Sequence, residues 1–204
     1  MEQTTTTVIQ PAASKVARAG LRLRRARRDD IPGLERLIEL AVLELQGRDY
    51  DERVLASALE NRLLAVDPQL IADGTYFVAE MEGRIVGAGG WSRRRKIVNG
   101  GGDSDGADDL LDPATEAAKI RAFFVHPDHA RQGIGSRLLR ASEEAAQRAG
   151  FRRLELIATL TGVPLYASRG WRSHERLEFP LPGGLVYPGI RMTKSVLPEQ
   201  AHAA

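Results

Sequence analysis

The sequence predicts one α/β domain built on a mixed sheet with helices on both faces. Three observations lead there. Some segments repeat apolar residues at helical spacing, while others alternate at period two. Their order, β-α-α-β-β-β-α-β-α-β-β, mixes hairpins with a single strand–helix–strand unit, which places both parallel and antiparallel neighbours in one sheet. The chain has 204 residues, 43% of them hydrophobic, enough for one core without covalent staples.

The elements follow in chain order. Residues 1–20 show little apolar periodicity and read as a flexible N-terminal tail. The domain spans residues 21–197, and residues 198–204 form a C-terminal tail. Residues 21–25 alternate and fit a strand. Asp29 or Asp30 then caps a helix with Pro32 in its first turn; Leu34, Leu37, Ile38, Val42 and Leu45 give its apolar face. A second helix is expected over residues 51–66. Residues 75–81 and 84–91 flank Glu82-Gly83 as a hairpin. The Gly- and Asp-rich stretch 99–112 reads as a solvated loop. Its Asp103, Asp105, Asp108 and Asp109 lack the downstream Glu of a calcium loop. Residues 120–125 form a strand that Pro127 ends. A helix then runs from Gly133 to Ala149, with Gly150 as its stop. Residues 153–158 make another strand and residues 164–169 a short helix. A final strand pair over residues 172–196 turns at Pro182-Gly183-Gly184.

Composition narrows the function. The formal net charge is only +2, which argues against a general nucleic-acid binder. There is no cysteine, which excludes a disulfide framework, a Cys-type zinc site and a cysteine nucleophile. No stretch approaches the roughly 18 consecutive apolar residues of a membrane span, and the N-terminal segment lacks the apolar run of a signal peptide. A cytoplasmic protein is expected, and the Arg- and Ala-rich composition points to a bacterial genome.

The chemistry concentrates in Val125-His-Pro-Asp-His-Ala-Arg-Gln-Gly-Ile-Gly-Ser136. A strand ends, a short loop follows, and two glycines open a helix. The first backbone N–H groups of a helix lack partners and, with the helix dipole, favour an anion. Gly133 and Gly135 leave room for a phosphate to approach the backbone, and Arg131 and Arg137 add charge. Leu138 stands where a Rossmann site needs its third glycine, and no Gly-Lys-Ser/Thr follows for a P-loop.

This run resembles the coenzyme A signature of the GNAT N-acetyltransferase superfamily, in which V-x-P leads to Q/R-x-x-G-x-G/A and a helix. Ala130 replaces the usual Gln or Arg. Leu165-Tyr-Ala-Ser-Arg-Gly-Trp171 resembles the family's L-Y-x-x-x-G-F element, and Thr159 stands where the family usually has Asn. The resemblance covers residues 21–195. It implies a mostly antiparallel sheet whose one parallel strand pair, residues 120–125 and 153–158, splays apart to admit acetyl-CoA. It also implies pantetheine contacts at Phe123, Phe124 and Val125, and a pyrophosphate site over Arg131, Gln132, Gly133, Ile134, Gly135 and Ser136, with Thr159 nearby. Tyr166 is the implied general acid for the leaving thiolate. The implied reaction is acetyl transfer to a primary amine by direct attack in a ternary complex, because no cysteine can carry an acyl group.

The acceptor stays open between small molecules and proteins, a homodimer is compatible, and no membrane, nucleic acid or metal enters the scheme. Glu80, Glu116, Glu155 or a water chain are the base candidates; His126 and His129 read as surface loop residues. Trp91 and the basic run 92–96 are candidates for the acceptor rim. The competing readings are a non-catalytic coenzyme A-binding or regulatory module of the same fold and a nucleotide-binding α/β domain of another type.

Overall fold

A computed structural model describes residues 20–97 and 109–196. The two tails and most of the Gly/Asp-rich loop lie outside the described residues. Seven strands form one sheet: β1 (Arg22–Arg25), β2 (Tyr76–Met81), β3 (Arg84–Ser92), β4 (Ala118–Val125), β5 (Arg153–Ala158), β6 (Arg172–Pro180) and β7 (Val186–Ser195). Their order is β1-β2-β3-β4-β5-β7-β6. Every neighbouring pair is antiparallel except β4 and β5, which run parallel. The helices are α1 (Ile31–Gln46), α2 (Glu52–Glu60), α3 (Pro68–Ala72), α4 (Ile134–Arg148) and α5 (Val163–Ala167).

The sheet is covered on both faces. Leu34, Leu37, Ile38 and Val42 of α1 and Leu55 and Ala58 of α2 pack against Val78, Ala88, Phe124 and Tyr187 on one face. On the other, Leu139 and Ala146 of α4 and Tyr166 of α5 pack with Ile120, Leu154, Leu156 and Met192. Successive strand side chains point to opposite faces, so adjacent Phe123 and Phe124 belong to different cores.

Asp30 fixes the entry to α1. A 3-10 turn at Arg28–Asp30 precedes the helix. The Asp30 carboxylate accepts the Arg27 N–H at 2.7 Å and the Arg24 guanidinium at 2.7 and 2.9 Å, tying β1 to α1. The Arg24 hydrogen bonds hold the Asp30 carboxyl below its ordinary range.

The helix expected over residues 51–66 is shorter. Asp51 caps α2 by accepting the Arg53 N–H at 2.9 Å. The helix stops because Asn61 turns its amide back on the Ser57 carbonyl at 2.8 Å and Arg62 adopts a left-handed φ of 58°. Leu63 and Leu64 then fold back, both N–H groups donating to the Ala58 carbonyl. A separate helix α3 begins at Asp67-Pro68, where Asp67 caps the Gln69 N–H at 3.0 Å. The second oxygen of Asp67 lies 2.9 Å from the Arg121 guanidinium, each side chain 4% exposed. This buried pair joins α3 to β4. Among the described residues no helix is long and apolar enough to cross a membrane.

Candidate functional site

Strands β4 and β5 pair only at Ala118↔Leu154 and Lys119↔Glu155. Beyond Lys119 they separate, and among the described residues the β5-facing edge of β4 has no strand partner. The divergence is built into β4. Its register against β3 shifts between Gly90↔Arg121 and Ala88↔Phe124, and Ala122 has φ 57°. Such a bulge bends a strand away from its neighbour. Fully buried Tyr76 holds the bend, its hydroxyl donating to the Ala122 carbonyl at 2.9 Å. Gly89 makes room: a Cβ there would lie 2.7 Å from the Phe123 ring.

A cavity of about 160 Å³ occupies the gap. Phe123, Phe124, Ile157, Ala158, Thr159, Leu165 and Tyr166 line it with Ile97, and it continues to Leu63, Leu64, Phe179 and Tyr187 on the α1–α2 face. Tyr166 is 7% exposed. Its ring meets Phe123 edge-on at 6.2 Å and Trp171 at 6.1 Å. Burial raises its phenol pKa above the ordinary value. Among the described residues no hydrogen bond claims its hydroxyl. Thr159 accepts the Gly162 N–H at 3.0 Å and so shapes the turn into α5. A Cβ on Gly162 would meet the Tyr166 ring at 3.2 Å, so that turn also seats the tyrosine.

The glycine turn lies at the start of α4, on the α5 side of the sheet. Arg131 and Gly133 are both left-handed, with φ 60° and 85°. The first bond inside α4 runs from the Arg137 N–H to the Gly133 carbonyl at 3.1 Å, so the N–H groups of Ile134, Gly135 and Ser136 precede the helical ladder. A second cavity, about 560 Å³, borders this end and is lined by Gln132, Gly133, Ile134, Ser136, Arg137, Arg140, Arg169 and Lys194. Four cations against one acid there, Glu143, suit an anionic ligand. Arg131 lines neither cavity, and its backbone supplies part of the shape of the turn.

The cavities therefore gather Phe123, Phe124, Thr159 and Tyr166 on one side, and Gln132, Gly133, Ile134 and Ser136 on the other. Val125 and Gly135 sit between, with Gly135 packed under Leu165 at 3.1 Å from a would-be Cβ. The carboxylates considered as bases line neither cavity. Glu80 binds Arg24 at 2.8 Å. Glu116 binds Arg95 at 2.6 Å. Glu155 binds Lys119 at 2.5 Å and Arg191 at 3.2 Å. Burial raises the Glu155 pKa, but the two cations outweigh it and hold the carboxyl below its ordinary range.

Trp91 is not at the rim; it is buried edge-on against Phe151 at 5.9 Å. Within the basic run, Arg94 is bound to Asp73 at 2.8 Å, and it is the following Ile97 that reaches the cavity. His126 accepts the Asp128 N–H at 3.3 Å, and its ring lies 5.7 Å from that of His129. Arg140, Arg169 and Lys194 escaped sequence reasoning. Only Arg169 carried a signal, its place inside the Leu165–Trp171 element.

The model of the acetyltransferase (GNAT) family matches residues 35–171. Solved structures share the fold. A GCN5-related N-acetyltransferase from Rhodopseudomonas palustris matches with a TM-score of 0.64 at 22% identity, over 87% of this chain and 97% of its own. The PaiA N-acetyltransferase of Thermoplasma acidophilum, in complex with coenzyme A, matches with 0.60 at 12% identity, over 86% and 99%. YncA from Salmonella typhimurium, with acetyl-CoA, matches with 0.55 at 19% identity, over 91% and 99%. At these identities the likeness is one of fold. No curated protein matches the chain.

Proposed function

Because the chain belongs to the GNAT acetyltransferase family, we propose that it transfers an acetyl group from acetyl-CoA to a primary amine by direct attack. The opening between β4 and β5, with the glycine turn at one end and Tyr166 on its wall, carries the reading. The residues present fit the cosubstrate. An unpaired strand edge can hydrogen-bond the amides of a pantetheine arm. The start of α4, with Arg137, Arg140 and Arg169 around it, suits a diphosphate.

Bound acetyl-CoA supplies the acetyl group as an activated thioester. The chain's own residues do the rest. Phe123 and Leu165 exclude water from the reacting end. The acceptor amine must arrive neutral. With no carboxylate among the described residues lining the β4–β5 cavity, its proton goes to water, at a cost of roughly 4–5 kcal/mol at pH 7 for a lysine-like amine. Nitrogen then bonds to the carbonyl carbon and gives up its second proton to water as the carbon–sulfur bond breaks. Backbone N–H groups near Phe124 and Val125 stabilise the charge that develops on oxygen. Tyr166 donates its proton to the departing sulfur and regains one from solvent.

Calorimetry with acetyl-CoA, followed by thiol release on adding a broad amine panel, tests this. Binding with a dissociation constant between about 1 μM and 1 mM, and thiol release that requires an amine, are expected. Binding without release would assign a non-catalytic coenzyme A module. Greater thermal stabilisation by NAD or ATP than by coenzyme A would overturn the reading.

A further inference from the structure

The cavity crosses the sheet, and its two ends differ. Phe123, Leu165 and Tyr166 belong to the α4–α5 face, where the glycine turn also lies. The other end opens among Leu63, Leu64, Phe179 and Tyr187. If the thioester enters from the glycine-turn side, the amine meets this second wall, so the inference rests on the acetyl-transfer reading.

That wall is apolar. Leu63, Leu64 and Phe179 are half-buried and pack against the core of the α1–α2 face, while Tyr187 is 4% exposed with its hydroxyl turned away to Gln46 at 2.8 Å. Among the described lining residues, Arg121 is the one charged side chain, and its guanidinium is held 2.9 Å from Asp67. A second ammonium group on the acceptor would find no carboxylate there and would lose its hydration. A hydrocarbon group would leave water for an apolar surface, the favourable direction. The size is also restrictive: about 160 Å³ in all, close to the roughly 150 Å³ that accommodates a single benzene. The pocket is open to solvent and the thioester end shares it, so the part of the acceptor that it encloses is about the size of one ring or a branched chain.

We propose that the acceptor is a primary amine with a single aryl or branched-alkyl group within a carbon or two of the nitrogen, seated on Leu63, Leu64, Phe179 and Tyr187. Such a group comes from a free small amine or from the first residue of a peptide. Polyamines, with charge along their length, are poor acceptors.

The test compares kcat/KM for phenethylamine and isopentylamine with that for putrescine and spermidine, and in parallel for peptides beginning with Phe or Gly, all with acetyl-CoA. An advantage of about tenfold or more for the apolar member is expected in at least one arm, and the arm in which it appears identifies the source. Leu64→Glu and Phe179→Ser should each move the selectivity ratio toward the polyamine by about tenfold. Retained acetyl-CoA binding shows that these variants are folded. Putrescine or spermidine equalling the apolar amines, together with no preference for Phe over Gly among the peptides, overturns the proposal. So does an unchanged ratio in both folded variants, or failure of every apolar amine and peptide in protein that binds acetyl-CoA. Failure to bind acetyl-CoA at all would instead remove the acetyl-transfer reading beneath it.

Discussion

Tyr166 stands in apolar surroundings with Phe123 and Trp171 against its ring and no partner for its hydroxyl among the described residues. Burial disfavours the phenolate, so the group keeps its proton at every working pH. A proton donor of this kind should impose no descending limb below about pH 10, the ordinary tyrosine value. Log kcat/KM should rise with pH as the amine deprotonates and stay high to that point; a fall near pH 8 would remove Tyr166 from the proton path. Tyr166→Phe should lower kcat about a hundredfold while calorimetry shows acetyl-CoA affinity little changed. Tyr166 was legible because Leu165, Tyr166 and Gly170 keep a recognisable spacing. Leu63 and Leu64 were not. They reach the cavity only because α2 ends at Asn61 and Arg62, and a left-handed arginine has no sequence signature.

At the scale of elements, the bend in β4 governs the site. Tyr76 donates to the carbonyl of Ala122, which holds φ 57°, a conformation costly for a residue with a Cβ. Removing that donor leaves a carbonyl without its partner in a buried strand. Tyr76→Phe should therefore cost about 1–3 kcal/mol of stability, read as a lower denaturation midpoint, and should weaken acetyl-CoA binding because the bend loses its anchor. Unchanged midpoint and affinity would show that the bulge is fixed by β3 alone. Strand identities and their pairing were readable from alternation and turns. The bulge was not, since its support comes from a residue 46 positions away. Helix α3 was missed for a local reason: five residues, Pro68–Ala72, are too few to show a period, and its marks were only the cap at Asp67 and Pro68 in its first turn.

At the scale of the whole molecule, ion pairs join distant parts of the fold. Arg24 links Asp30 to Glu80, Arg94 holds Asp73, and Glu155 is held by Lys119 across the β4–β5 junction and by Arg191 from β7. The cations depress the carboxyl pKa values of Asp30 and Asp73, and outweigh burial at Glu155. A carboxylate with a lowered folded pKa contributes stability above its unfolded value, about 4, and loses it as pH falls through the folded value. The melting temperature should therefore drop as pH goes from about 5 to 3, and Asp73→Asn should make that drop shallower. An identical slope in the variant would show that Asp73 takes no part. The two-faced architecture was readable from the order of elements. Most of the ion pairs were not, because Glu80, Asp73 and Glu155 meet their cations across 56, 21 and 36 positions of chain.

Two residue pairs, Ala118–Leu154 and Lys119–Glu155, make up the whole ladder between the first four strands and the last three. Past them the sheet is an unfinished seam, with hydrogen-bonding edges that no strand among the described residues closes. A molecule threaded there supplies the missing stitches, so occupancy and cohesion rise together. Loaded protein should resist heat and proteases as one piece, while the empty form yields first along that line.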